Sequence, residues 1–119
     1  MKKVMVLGAS PKKRRFSYSC VKSLLRHDYE VVPVGVRDGE IDGVQIEKGK
    51  PEVRDIHTVT LYLNERNQQP YHDYILELAP HRIIFNPGAE NPELKELAKE
   101  NNIEVVEGCT LIMLNSGNF

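Results

Sequence analysis

Four consecutive apolar residues, Val4-Met5-Val6-Leu7, stop abruptly at Gly8. A strand with one wet face alternates apolar and polar side chains. An unbroken apolar run marks a strand covered on both faces, as in a parallel sheet flanked by helices. The next segment has a different period. Ser17, Cys20, Val21, Leu24 and Leu25 fall at i, i+3, i+4, i+7 and i+8, which predicts a helix closed by His27-Asp28. The alternation then repeats. Glu30 to Val36 is a valine-rich second strand, with Pro33 near the end where pairing stops, because proline has no amide hydrogen to donate. Residues 37–50 are polar and turn-rich (Asp38-Gly39, Asp42-Gly43), an irregular loop or a small hairpin around Ile41, Val44 and Ile46. Thr58 to Leu63 is the third strand, followed by a helix opened by Pro70 and carrying Tyr71, Tyr74, Ile75 and Leu78 on one face. Arg82 to Phe85 is the fourth strand, ended by Asn86-Pro87-Gly88. Asn91-Pro92 caps a helix whose stripe is Leu94, Leu97 and Ala98, Ile103 to Val106 is the fifth strand, and Thr110 caps a final turn, Leu111 to Leu114. Strands alternating with helices predict a three-layer α/β fold with a five-stranded parallel sheet, one domain over residues 1–119. In such sheets ligands bind outside the carboxyl ends of the strands.

Composition narrows the partners. The net charge is −1, yet residues 1–27 carry eight Lys and Arg and no acid, leaving −9 for the rest. A basic pole on a nearly neutral chain suits a small polyanion better than long nucleic acid, for which an overall basic domain is usual. No apolar stretch approaches the roughly 18 residues of a membrane span. The run after Lys2-Lys3 is too short for a signal-peptide core, which places the chain in the cytoplasm. Cys20 and Cys109 lack metal-ligand spacing and are expected as thiols, Cys20 in the core. The four histidines share no metal spacing; His57, just before the third strand, could approach a ligand edge but reads first as a structural residue. No metal is expected.

The first strand–helix turn has the chemistry of a phosphate site. Gly8 permits a tight turn and close backbone approach, and Ala9-Ser10 completes it. The helix behind it presents free N–H groups and a partial positive charge. Ser10 and Ser17 supply hydroxyls, and Lys12, Lys13, Arg14 and Arg15 supply cations. The turn lacks the second and third glycines of the dinucleotide fingerprint, and no Walker Gly-Lys-Ser/Thr occurs. The end of the second strand discriminates further. NAD sites place an acid there for the ribose hydroxyl, whereas Val34-Gly35-Val36-Arg37 has none. Arg37 favours a phosphorylated ribose, leaving NADP or a 3′-phosphorylated adenosine such as coenzyme A.

In family order, Val6 to Ser10 with the basic loop to Ser17, Tyr29 to Val34, Ile41-Asp42-Gly43, Thr58 to Leu63, Pro87 to Asn91, and Val105 to Cys109 resemble the small stand-alone CoA-binding domain proteins. These are similar to the N-terminal domain of the succinyl-CoA synthetase alpha subunit. The resemblance implies a Rossmann-like sheet in order 3-2-1-4-5 with CoA across its switch point. It implies a pyrophosphate cradle of Gly8, Ala9, Ser10 and Ser17, a phosphate partner in Arg14 or Arg15, a wall of Pro33 and Val34 beside the adenosine, and an opposing loop of Asn86, Pro87 and Gly88. The chain departs from the family pattern at Gly35, where relatives commonly carry asparagine, and at Phe85-Asn86-Pro87.

The function expected is non-catalytic binding of coenzyme A or an acyl-CoA, by the chain alone, as a homodimer or beside a partner enzyme. The alternatives are an NADP-binding oxidoreductase fragment and a regulatory protein with a degenerate site. No carboxylate pair or nucleophile–base set is placed for catalysis, and Cys109 reads as a small packing residue.

Overall fold

The computed structural model describes residues 2–119. In chain order the elements are β1 (Lys3–Leu7), α1 (Phe16–Arg26), β2 (Glu30–Val34), β3 (Glu40–Ile41), β4 (Val44–Gln45), β5 (Ile56–Leu61), α2 (Glu65–Gln68), a 3₁₀ turn (Gln69–Tyr71), α3 (His72–Leu78), β6 (Arg82–Phe85), α4 (Pro92–Glu100), β7 (Glu104–Glu107) and α5 (Thr110–Ser116). Five strands form one parallel sheet, ordered β2-β1-β5-β6-β7, and β3-β4 form a separate antiparallel hairpin.

The apolar run of β1 sits at the centre of this arrangement. Its side chains alternate between two cores, as a strand covered on both faces requires. Met5 and Leu7 join Val59, Leu61, Ile83 and Phe85 of the sheet against Ile75, Leu94 and Ala98 of α3 and α4. Val4 and Val6 join Val31 against Cys20, Val21 and Leu24 of α1 and Leu114 of α5. The four residues of the run, Val4 to Leu7, are 0–1 % exposed, so a polar substitution at any of them would bury an unpaired polar group. Cys20 lies in this core, as its place on the α1 stripe predicts.

The strand order corrects the 3-2-1-4-5 expectation. The third main strand, β5, does not lie outside β2; it pairs with β1 on the opposite side, Val4 to Leu7 aligning with Thr58 to Leu61. Among the described residues, what lies outside β2 is a stub, the isolated bridge between Val34 and Glu47. Two hydrogen bonds hold it, Glu47 N–H to the Pro33 carbonyl at 2.8 Å and Gly35 N–H to the Glu47 carbonyl at 2.9 Å. Pro33 explains why the stub stays short. Its carbonyl faces outward to Glu47, so its ring nitrogen faces the same edge, where it can donate nothing to a longer ladder. Residues 40–47, expected as a loop or hairpin, form the hairpin and then this stub, with Ile41 and Ile46 buried beneath α1 and β1.

Two connections also differ from expectation. The helical segment after β5 begins at α2, capped by the Asn64 side chain accepting from Asn67 N–H at 2.9 Å, and Pro70 lies in the 3₁₀ turn joining α2 to α3. Thr110 is the first residue of α5 rather than its cap; Cys109 holds the cap position. Asn91 caps α4 as read, its Oδ1 accepting from Leu94 N–H at 3.1 Å. Among the described residues no helix is long and apolar enough to cross a membrane.

Candidate functional site

The sheet changes winding direction between β1 and β5. β2 is added on one side of β1, and β5, β6 and β7 on the other. The connections leaving neighbouring carboxyl ends therefore part here and leave a crevice. A cleft of about 540 Å³ opens at this place, within the usual range for small-ligand sites.

Its floor is the turn after β1. Gly8 has φ +100°, a left-handed conformation that favours glycine, and a Cβ there would stand 3.1 Å from the Tyr62 carbonyl carbon and 3.2 Å from the Leu63 side chain. The N–H groups of Gly8 and Ala9 both donate to the Val34 carbonyl, at 2.8 and 2.9 Å, tying the turn to the end of β2. On the other side Tyr62 N–H donates to the Leu7 carbonyl at 2.9 Å. Ser10 Oγ accepts from Lys12 N–H at 3.1 Å and shapes the loop toward α1. The start of α1 is open. Its N-cap residue, Arg15, provides no side-chain cap, and no acid occupies the first turn. An uncapped helix start bordered by cations presents N–H donors and partial positive charge to the cleft.

Gly35 closes the wall. An added Cβ would lie 2.0 Å from the Ala9 carbonyl oxygen, so the two backbones are packed too closely for any side chain. That contact requires glycine at position 35 of this backbone. Here the polar group at this rim is Arg37, two residues on.

Of the residues the sequence singles out, Gly8, Ala9, Ser10, Arg15, Ser17, Val34, Arg37 and Pro87 line the cleft together. Arg14 is exposed on the same loop but is not part of the lining, and Pro33, buried in β2 next to Val34, does not line the cleft either. Asn86 and Gly88 also stand outside the lining. Asn86 is buried and engaged elsewhere. Its Nδ2 donates to Thr60 Oγ1 at 2.7 Å and to the Leu61 carbonyl at 2.8 Å, and its Oδ1 accepts from Thr110 N–H at 2.9 Å. It stitches β5, β6 and α5 together. The Gly88 N–H, at φ +92°, donates to Glu90 at 3.0 Å. His57 lies in β5 at its amino end, away from the cleft, stacked on His81 with ring centroids 5.1 Å apart. Partial burial, then the positive charges of Lys2, Arg82 and His81, lower its pKa.

The remaining lining is Lys12, Phe16, Gly35, Val36, Tyr62, Leu63, Asn67 and Tyr71. Phe16 and Val36 are 75 % and 82 % exposed, an unusual state for large apolar side chains, and both stand at the mouth. Tyr71 and Asn67 arrive through the α2–3₁₀ segment. A buried network fixes that segment: Gln68 Nε2 donates to the carbonyls of Leu63 and Ala89, and Asn91 Nδ2 bonds Gln68 Oε1 at 2.8 Å and His72 Nε2 at 3.1 Å. Because the Asn91 amide donates, His72 Nε2 is the acceptor and its proton sits on Nδ1. The charges in the lining are those of Lys12, Arg15 and Arg37, with no Asp or Glu among them. The cleft is thus cationic, a lining that attracts anions. Among the described residues no group of three or more His, Cys, Asp or Glu is placed to hold a metal ion.

Residues 2–115 match the family described as the CoA binding domain. No curated protein matches the chain. Among solved structures, the chain is similar along its full length to a crystal structure titled as that of an uncharacterized protein, at 48 % identity and TM-score 0.97, covering 98 % of that chain. A hypothetical protein from Pyrococcus horikoshii OT3 is 27 % identical at TM-score 0.84, over 97 % of this chain and 82 % of the other. A protein from Thermus thermophilus, cell-free ID.343, shares the fold at 23 % identity and TM-score 0.84, over 99 % and 90 % of the two chains.

Proposed function

The chain belongs to the CoA binding domain family, and from that premise we propose that it holds coenzyme A or an acyl-CoA in the cleft at the β1–β5 switch point, as a binding module without chemistry of its own. In this reading the pyrophosphate lies over Gly8, Ala9 and Ser10, where the uncapped start of α1, Ser17 and Arg15 meet it. Arg14, exposed on the same loop, adds long-range attraction. The adenosine lies toward β2, between Val34, backed by Pro33, and the mouth residues Phe16 and Val36, with its 3′-phosphate on Arg37. The arm leaves toward Pro87, at the turn that Asn86 and Gly88 shape. Planar guanidinium groups suit phosphate because they present paired donors.

The observation that carries this reading is the cleft's charge. Its cations come from the β1 and β2 connections, and no acid opposes them. NAD recognition would require an acid at the end of β2, and Arg37 stands near there instead. Titration calorimetry and thermal shift with CoA, acetyl-CoA, NADPH, NADH and ATP test the proposal. CoA and acetyl-CoA are expected to bind most tightly, and at about 100 times its Kd such a ligand raises stability by about 2.7 kcal/mol. NADPH binding more tightly than CoA would overturn it.

A further inference from the structure

The cleft is not uniform from one side to the other. Across the sheet the strand ends follow in the order β2, β1, β5, β6. The β2 and β1 connections supply Arg37, Lys12 and Arg15. The β5 and β6 connections supply Tyr62, Leu63, Asn67, Tyr71 and Pro87, none of them charged. The charged residues flanking that side, Lys50, Glu65, Arg66 and Glu90, do not line the cleft. Lys50 Nζ instead stands 5.9 Å from the centre of the Tyr71 ring, and Glu90 accepts from Gly88 N–H. The Tyr62 hydroxyl is turned down into the core beside Cys20, where burial raises its pKa.

Resting on the CoA reading above, we infer that the β5–β6 side of the cleft selects the arm of the carrier, accepting a free thiol or a neutral acyl group and rejecting an acyl group that ends in a carboxylate. A carboxylate brought there would lose part of its hydration against half-buried Leu63 and Tyr71, with no cation in the lining to meet it. Partly dehydrating an ion with no opposite charge beside it is unfavourable, whereas a thiol or a short alkyl chain loses little and gains contact with Leu63, Tyr71 and Pro87. Selection of this kind works by what the wall withholds as much as by what it offers.

The test is titration calorimetry of the intact chain with CoA, acetyl-CoA and malonyl-CoA, repeated on Asn67→Lys. Asn67 is exposed, and its N–H bond to Asn64 uses only its backbone, so the variant keeps the α2 cap. Acetyl-CoA is expected to bind within about threefold of CoA, and malonyl-CoA at least ~10-fold more weakly, the scale of an uncompensated charge. Asn67→Lys is expected to narrow the gap by selectively strengthening malonyl-CoA binding. Malonyl-CoA binding the unaltered chain as tightly as CoA would overturn the inference and leave the CoA reading standing. Failure of all three to bind would overturn both.

Discussion

Gly35→Ala is the smallest change that tests how the cleft is built. The added methyl would stand 2.0 Å from the Ala9 carbonyl oxygen and 3.1 Å from its carbonyl carbon, with Ile46 Cγ2 at 3.5 Å behind it. The nearest atoms are backbone, so no side chain can swing aside. Real Cβ contacts essentially never fall below 3.0 Å, and the Ala9 and Gly35 segments must part by about 1 Å. Both are tethered, Ala9 N–H to the Val34 carbonyl and Gly35 N–H to the Glu47 carbonyl, each at 2.9 Å. Overpacking of this kind costs about 1–3 kcal/mol, and a weakened hydrogen bond adds about 1 kcal/mol. A total near 3 kcal/mol lowers the melting temperature of a chain this size by roughly 10 °C. The same displacement moves the turn that meets the pyrophosphate, and CoA affinity should fall about tenfold, the equivalent of one good hydrogen bond. Gly108→Ala is the control. Its Cβ would meet nothing closer than Val106 at 3.7 Å, and its stability should change by no more than about 0.5 kcal/mol. Differential scanning calorimetry and CoA titration read both effects. Gly35→Ala melting and binding as the parent chain does would refute the close-packed wall.

Arg15→Ala and Arg37→Ala should each weaken CoA binding about tenfold at low salt and flatten its salt dependence, and Arg14→Ala should do so less; calorimetry at two ionic strengths checks the ranking. Dephospho-CoA, which lacks the 3′-phosphate, should bind the parent chain more weakly than CoA but bind Arg37→Ala equally well. Asn86→Ala strips three buried hydrogen bonds and should lower stability by about 2–4 kcal/mol in urea unfolding. Burial pushes the Cys20 thiol from 9.0 up to about 12. Between those values the unfolded chain has lost this proton and the folded chain has kept it, so stability should fall as pH rises from 9, by up to about 1.4 kcal/mol per pH unit. Cys20→Ala should make that decline shallower in pH-dependent urea melts.

Much of this architecture is legible in the residues, and the gaps have physical causes. The run Val4 to Leu7 identifies a doubly covered strand because burial on both faces leaves no room for a polar residue. The α1 stripe and the Asn91-Pro92 cap are equally direct. Strand order is not local information. It depends on which segment completes the edge of β2, and the best clue was Pro33, whose missing donor leaves that edge with a stub. The α2 turn was missed because its signal is one capping asparagine, Asn64, ahead of a four-residue helix. The floor of the cleft could be read because glycine, a strand end and a helix start are adjacent in sequence. Tyr62, Asn67 and Tyr71 could not, since they reach the cleft only through the β1–β5 pairing and the buried Gln68–Asn91–His72 network. Asn86 resembles a loop residue in sequence, and only its three partners from β5 and α5 reveal it as a stitch in the core. The exposure of Phe16 is likewise a tertiary fact, because it lies at the start of an amphipathic helix but points to the mouth.

The most direct measurement is an amide ¹H–¹⁵N shift map of the labelled chain titrated with CoA. The largest shifts are expected on Gly8 to Ser17 and on Gly35 to Arg37, saturating together with one Kd. Shifts concentrated away from these two segments, or none at all at saturating CoA, would contradict the CoA reading of the cleft.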